Sequence, residues 1–146
     1  MTCTFFGHRD APPSLAPALQ ALLTQLIQEQ GVTRFLVGNQ GRFDEMVAKV
    51  LTILQKDFSH ISFAIVLAYL PQSYSVSSLV SAEQTLFPMG LETVPPAFAI
   101  QRRNLWMLQQ ADCVVAYVVH TLGNAHKFLH RAQRQGKKVW NLAKME

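Results

Sequence analysis

Charge is sparse in this chain: 13 Lys and Arg and 9 Asp and Glu make up 15% of its 146 residues and leave a formal net charge of +4. With 49% of residues hydrophobic, the composition excludes a disordered, solvated segment and suits one globular domain. Cysteine is also scarce. Cys3 and Cys113 sit inside apolar runs with no CxxC spacing and no adjacent histidine cluster, which excludes a disulfide framework or structural zinc and predicts two buried small hydrophobes. The longest apolar run, residues 61–70, is about half of what a membrane crossing needs at roughly 1.5 Å of rise per residue. The N-terminus lacks a basic flank leading into an apolar segment, so the expectation is a soluble, cytoplasmic protein with no membrane partner. Two common phosphate-binding devices are missing as well. Without GxGxxG after the first strand the nicotinamide-dinucleotide fingerprint fails, and without GxxxxGK[ST] the chain is not a P-loop enzyme.

What is present is an alternation of short apolar runs and amphipathic stretches. "CTFFG" (3–7), "TRFLVG" (33–38), "SFAIVLAYL" (62–70), "DCVVAYVV" (112–119) and "KVWNL" (138–142) read as strands, the third continuously apolar as in a central parallel strand covered on both faces. Pro71 is expected to end that strand. Residues 14–30 carry Leu15, Leu19, Leu22, Leu23, Leu26 and Ile27 at helical spacing behind a candidate Ser14 cap, with Gly31 as the stop. Further helices are predicted over 44–55, 97–110 and 124–135, and an irregular excursion with one short helix over 71–96. Five strand-and-helix alternations predict an α/β, Rossmann-like, doubly wound fold with a mainly parallel sheet of at least five strands.

In such sheets ligands bind beyond the carboxyl ends of the strands, so the turns there are where chemistry is expected. Gly38 and Gly41 flank Asn39 and Gln40 where the second helix begins, and Gly123 precedes the helix opening at Asn124. Missing side-chain bulk at a helix start lets an anion approach free amides, although each glycine taken alone also suits a simple left-handed turn. After the first strand, Gly7, His8 and Arg9 add an imidazole and a guanidinium, the latter shaped for bidentate phosphate contact. The basic C-terminal stretch "HKFLHRAQRQGKKVW" reads either as a phosphate-attracting surface or as a solvated helix face.

"TCTFFGHRD", "FLVGNQGRFD", "LETVPPAFAIQRRNLWMLQQADCVVAYV" and "GNAHKFLHRAQRQGKKVWNL" together resemble the small stand-alone bacterial proteins of the SLOG superfamily, a Rossmann-like group. The group also includes the cytokinin-activating phosphoribohydrolases and the Rossmann-like part of the DNA-processing protein A. The resemblance spans nearly the whole chain. It implies a single SLOG-like nucleotide-binding domain over residues 1–146, a pocket for a nucleotide or nucleotide-derived ligand, and association into homo-oligomers. Residues implied at the ligand are Gly7, His8, Arg9, Gly38, Asn39, Gly41, Arg103, Gly123 and Asn124, with Arg102 as the alternative to Arg103.

The phosphoribohydrolases carry GGxGTxxE after the strand that precedes the last helix. Here the matching stretch "GNAHKFLH" keeps Gly123, puts Asn124 at the second glycine and His126 and Lys127 at the Gly-Thr pair, and replaces the catalytic glutamate with His130. Cleavage of an N-glycosidic bond needs a carboxylate beside the developing oxocarbenium ion, so no catalytic residue is assigned. Asp44, Glu83 and Glu92 remain as displaced carboxylates, Asp44 also suiting the first turn of the second helix. Tyr69, Tyr74 and Phe98 are candidate base-stacking rings, and Trp106 and Met107 suit a core or an interface. His120, His126 and His130 lack a third ligand at recognisable spacing, so neither a metal nor a cofactor is expected. Three functions follow in order: a sensor-like nucleotide-binding domain, a nucleoside 5'-monophosphate N-glycosidase, and, weakest, a nucleic-acid-binding module, since the basic residues are not interleaved with aromatics.

Overall fold

A computed structural model describes residues 1–69 and 84–144. Six strands form one wholly parallel sheet: β1 (Thr2–Gly7), β2 (Arg34–Val37), β3 (Ser62–Val66), β4 (Thr85–Leu86), β5 (Cys113–Tyr117) and β6 (Lys138–Asn141). Their spatial order is β4-β3-β2-β1-β5-β6. Strand order therefore runs outward from β1 in one direction and then resumes on its other side, which makes the gap between the ends of β1 and β5 the switch point of the sheet.

Four helices cover the two faces: α1 (Ala16–Glu29), α2 (Gly41–Asp57), α3 (Pro96–Gln110) and α4 (Asn124–Arg134). Leu19, Leu23 and Leu26 of α1 and Val47, Leu51 and Leu54 of α2 pack with Phe5, Phe35 and Phe63 into one core. Met107 and Leu108 of α3 and Phe128, Leu129 and Ala132 of α4 pack with Phe6, Leu36 and Val114 into the other. The alternation of side chains along a strand sorts Phe5 and Phe6 to opposite layers. Thr4, fully buried, satisfies its hydroxyl by donating to the Leu36 carbonyl at 2.9 Å.

Several boundaries differ from the sequence reading for local reasons. The Ser14 cap does not form; Pro13–Leu15 make a 3-10 turn, and α1 starts at Ala16 with Pro17 in its first turn. The second helix begins at Gly41, three residues before the expected Asp44, because Gly41 adopts φ 89° and Gln40 is extended. β3 and β5 stop at Val66 and Tyr117 although the apolar residues continue: Leu67, Ala68 and Val118 are buried beyond the last paired positions. The excursion contains β4 and a 3-10 turn at Leu91–Thr93. The expected end of the third strand at Leu70 and Pro71, and the candidates Tyr74 and Glu83, fall outside the described residues. Cys3 and Cys113 are buried free thiols in register on β1 and β5. No helix among the described residues is long and apolar enough to cross a membrane.

Candidate functional site

A cleft of about 510 Å³ opens at the switch point. Its walls are the end of β1 (Gly7, His8, Arg9), the start of α4 (Gly123, Asn124, Ala125) and the inner face of α3 (Arg103, Asn104, Met107), with Gln40 and Asp44 from the β2–α2 side. Gly7, His8, Arg9, Arg103, Gly123 and Asn124 thus come together from three separate parts of the chain, the turn after β1, α3 and the start of α4. Gly38, Asn39 and Gly41 are not in that lining, and the structure gives both glycines a packing reason.

At Gly41 an added Cβ would lie 2.7 Å from the Arg9 Cα, on a backbone already at positive φ. The turn is bare because the chain leaving β1 rests directly on it. That contact is closed by the Arg42 amide, which donates to the Arg9 carbonyl at 2.9 Å, while the Gln40 amide donates to Asp44 Oδ2 at 2.9 Å. Two amides at the start of α2, those of Gln40 and Arg42, are thus spent inside the protein. Gly38 makes room for side chains: a Cβ there would meet Asp44 Oδ2 at 2.7 Å and the Arg103 guanidinium carbon at 3.2 Å.

α4 opens differently. Its N-cap is Gly123, at φ 91°, with no atom within 4 Å of where a Cβ would stand. No cap side chain bonds the helix start and no acidic residue occupies its first turn, so amides without intrahelical partners face the cleft. The loop before it is held by two side chains. His8 Nε2 accepts the Val119 amide at 2.9 Å, and Asn141 accepts the Val118 amide at 3.1 Å while donating to the Val118 carbonyl at 3.0 Å.

That role fixes the state of His8. An imidazole whose Nε2 accepts a backbone amide is neutral, with its proton on Nδ1. Burial pushes its pKa below the ordinary value; neighbouring His120 and His126 act the same way, and Asp10 opposes them. The His120 ring stacks on His8 with centroids 3.8 Å apart.

Arg103, only 2% exposed, is the α3 arginine that turns inward. Its Nε donates to Asn104 Oδ1 at 2.8 Å and its Nη1 to the Val66 carbonyl at 2.9 Å. Arg102, one helical step away, lines a separate hollow with Phe98 and Trp106 on the outer side of α3. Beside Arg103, burial drives the Asp44 carboxyl up to about 6, with the guanidinium and the Gln40 amide pulling the other way. Arg9, at the exposed rim, donates from Nη2 to Gln40 Oε1 at 3.1 Å.

Asp44, read from the sequence as a first-turn residue of the second helix and a displaced carboxylate, and Asn104, given no ligand role there, both line the cleft. The Gly38 turn carried the signal for Asp44, because a missing side chain there accommodates a neighbour's carboxylate. His126 and His130 stack one helical turn apart on α4, with centroids 6.3 Å apart, and neither is in the cleft lining. Among the described residues no three His, Cys, Asp or Glu side chains are grouped to hold a metal ion.

No protein-family model and no curated protein sequence matches the chain. Among solved structures it is similar to DNA processing protein A from Streptococcus pneumoniae, with a TM-score of 0.69 at 14% identity over 94% of this chain and 48% of that one. It is similar also to DNA processing protein A from Helicobacter pylori, whose structure is described with a single-stranded DNA binding mode; the TM-score is 0.68 at 13% identity over 95% of this chain and 63% of that one. The chain spans about half the length of the first and under two thirds of the second. It therefore has the Rossmann-like fold of DNA processing protein A, the architecture that its resemblance to the SLOG superfamily implied.

Proposed function

We propose that the switch-point cleft binds a nucleotide or nucleotide-derived molecule, with its phosphate against the first turn of α4. One observation carries this reading: α4 opens into the cleft through Gly123, uncapped by any side chain and with open space where a Cβ would stand. Unpaired amides and the positive end of the helix dipole favour an anion there. Arg9 adds a charge at the rim and Arg103 another at the floor.

The test is calorimetric titration with AMP and ADP-ribose of the parent, Arg9→Ala and Gly123→Val. Arg9→Ala is expected to weaken binding by about 1.5–3 kcal/mol through loss of a charge-assisted contact. Gly123→Val is expected to weaken it by blocking close approach of the phosphate. Unfolding midpoints measured without ligand separate binding from stability, since Gly123 at positive φ also resists a side chain. Parent-like affinity in both variants overturns the reading.

Two alternatives have support of their own. An N-glycosidase would depend on Asp44, which with Asp10 supplies the carboxylates of the cleft among the described residues, whereas His130 lies outside it. Release of free base from AMP that disappears in Asp44→Asn would favour that activity. A nucleic-acid-binding role is supported by the fold shared with the Helicobacter pylori protein. Tighter binding of a thymidine oligonucleotide than of any mononucleotide, falling steeply with added salt, would favour it.

A further inference from the structure

At the end of the sheet opposite the cleft, the two cysteines of the chain meet. Cys3 on β1 and Cys113 on β5 are register partners in neighbouring parallel strands. Both are free thiols without exposed surface, and both turn into the layer that holds Phe5 and Val115. In-register Cα atoms of adjacent strands stand about 4.8 Å apart, inside the roughly 4.4–6.8 Å that a disulfide spans. Their side chains leave the same face of the sheet, so joining them asks no movement of the backbone. The two sulfurs already lie within hydrogen-bond reach of each other. Each also makes a long bond to a carbonyl, Cys3 to Thr4 at 3.5 Å and Cys113 to Thr2 at 3.8 Å.

We infer that Cys3 and Cys113 are a reversible redox pair, oxidised by a hydroperoxide to a disulfide that ties β1 to β5. The hydrogen bond from Cys3 lowers the pKa of Cys113, with Lys138 acting the same way and burial and Asp112 opposing. Burial, then the bond and charge of Cys113, push Cys3 well up, so Cys113 is the attacking thiolate and Cys3 stays protonated. Cys113 Sγ attacks one peroxide oxygen: the S–O bond forms, the O–O bond breaks, and hydroxide leaves to take up a proton as water. Cys3 Sγ then attacks Cys113 Sγ. The S–S bond forms, the S–O bond breaks, and the second hydroxide leaves as water with the Cys3 proton. The two sulfurs give up two electrons, and the peroxide becomes two waters. Small and uncharged, peroxide reaches the pair through local opening of the strand ends. A reducing dithiol reverses the bond by exchange. The bridge joins positions 110 apart, so it restricts the unfolded chain and raises resistance to unfolding. None of this depends on what the cleft binds.

The experiment exposes the full folded chain at pH 7.5 to hydrogen peroxide for long enough to oxidise glutathione completely. Catalase stops the reaction, the protein is unfolded in urea with a maleimide, and labelled thiols are counted by mass spectrometry. Labels are counted because exposed Met89 gains oxygen as its sulfoxide and obscures the mass change at sulfur. Untreated protein is expected to take two labels and treated protein none, with dithiothreitol restoring both and non-reducing gels showing a single chain. The oxidised parent is expected to unfold at a higher urea midpoint than the reduced one. In Cys3→Ala, dimedone is expected to trap the sulfenic acid of Cys113. In Cys113→Ala, Cys3 is expected to lose its thiol at least tenfold more slowly than Cys113 does in Cys3→Ala. Two labels persisting in the treated parent, thiol loss that dithiothreitol does not reverse, or a bridge between chains overturns the inference. A midpoint not raised by oxidation overturns the stabilising role, and equal rates in the two variants overturn Cys113 as the attacking thiol. The parent measurements decide the inference whether or not either variant folds.

Discussion

At the scale of single residues, the bare turn before α2 answers to packing. Gly41→Ala places a Cβ 2.7 Å from the Arg9 Cα and forces an L side chain into positive φ. The expected loss is about 2–4 kcal/mol, combining left-handed strain with overlap against backbone, read as a lower urea midpoint. Gly123→Ala at similar φ has open space around it, so it should lose only the strain component, about 1 kcal/mol. The difference between the two variants isolates the contact with Arg9.

Asp44 and His8 give opposite responses to acid. The folded pKa of Asp44 is raised from 3.8 to about 6, so the folded state favours its protonated form. Its contribution is present in full below pH 3.8 and is lost as pH rises through 6. Asp44→Asn is therefore expected to melt higher than the parent at pH 7.5, with the gap closing by pH 4. His8 has a lowered folded pKa, so its contribution holds above its ordinary value of 6.5 and is lost as pH falls through the folded one. Protonation also turns the Val119 acceptor into a donor. In an Asp44→Asn background, which removes the opposing slope, the melting temperature should drop on acidification below 6.5 more steeply with His8 than with His8→Asn.

At the scale of elements, the four helices and five of the six strands were legible because hydrophobic spacing follows the layer each element must cover. α1 shows this plainly: Leu19, Leu22, Leu23, Leu26 and Ile27 are its buried residues, as their spacing demanded. β4 was not legible. Two residues, Thr85 and Leu86, inside a proline-bearing stretch carry no period, and only the edge of β3 makes them a strand. The site was legible where backbone geometry alone creates it, as at Gly123. It was hidden where a side chain's destination depends on helix phase: α2 starting at Gly41 and not at 44 turns Asp44 back over its own helix start and into the cleft. An element-scale consequence concerns the loop before α4, held by His8 and Asn141. Asn141→Leu leaves the Val118 amide and carbonyl unpaired and should cost about 2–4 kcal/mol, with faster hydrogen exchange at Val118 and Val119 as the marker.

At the scale of the whole molecule, the outer side of α3 stands apart from the cleft. Met89 is 99% exposed and Phe98 60%, beside a hollow that Trp106 also lines. Apolar surface of this kind fits the self-association implied by the sequence resemblance. Light scattering at micromolar concentration is expected to give at least twice the 16.4 kDa chain mass, and Phe98→Glu to return it to one chain. A single-chain mass for the parent would count against association.

The position of β1 has a consequence for how the fold is reached. The strand that comes first in the sequence lies between β2 and β5, and its second neighbour is 110 positions away, Cys3 pairing with Cys113. During synthesis, β1 to β3 can pair while α3 and β5 are still to be made, yet the β5-facing edge of β1 stays open and the second core has no α3 or α4 to cover it. Closing that gap means joining distant parts of the chain, which slows folding and prolongs exposure of an unpaired central strand. Thr2 to Gly7 is thus the segment through which a nascent chain of this protein is most exposed to pairing with the wrong partner, and the arrival of β5 is the event that ends the risk.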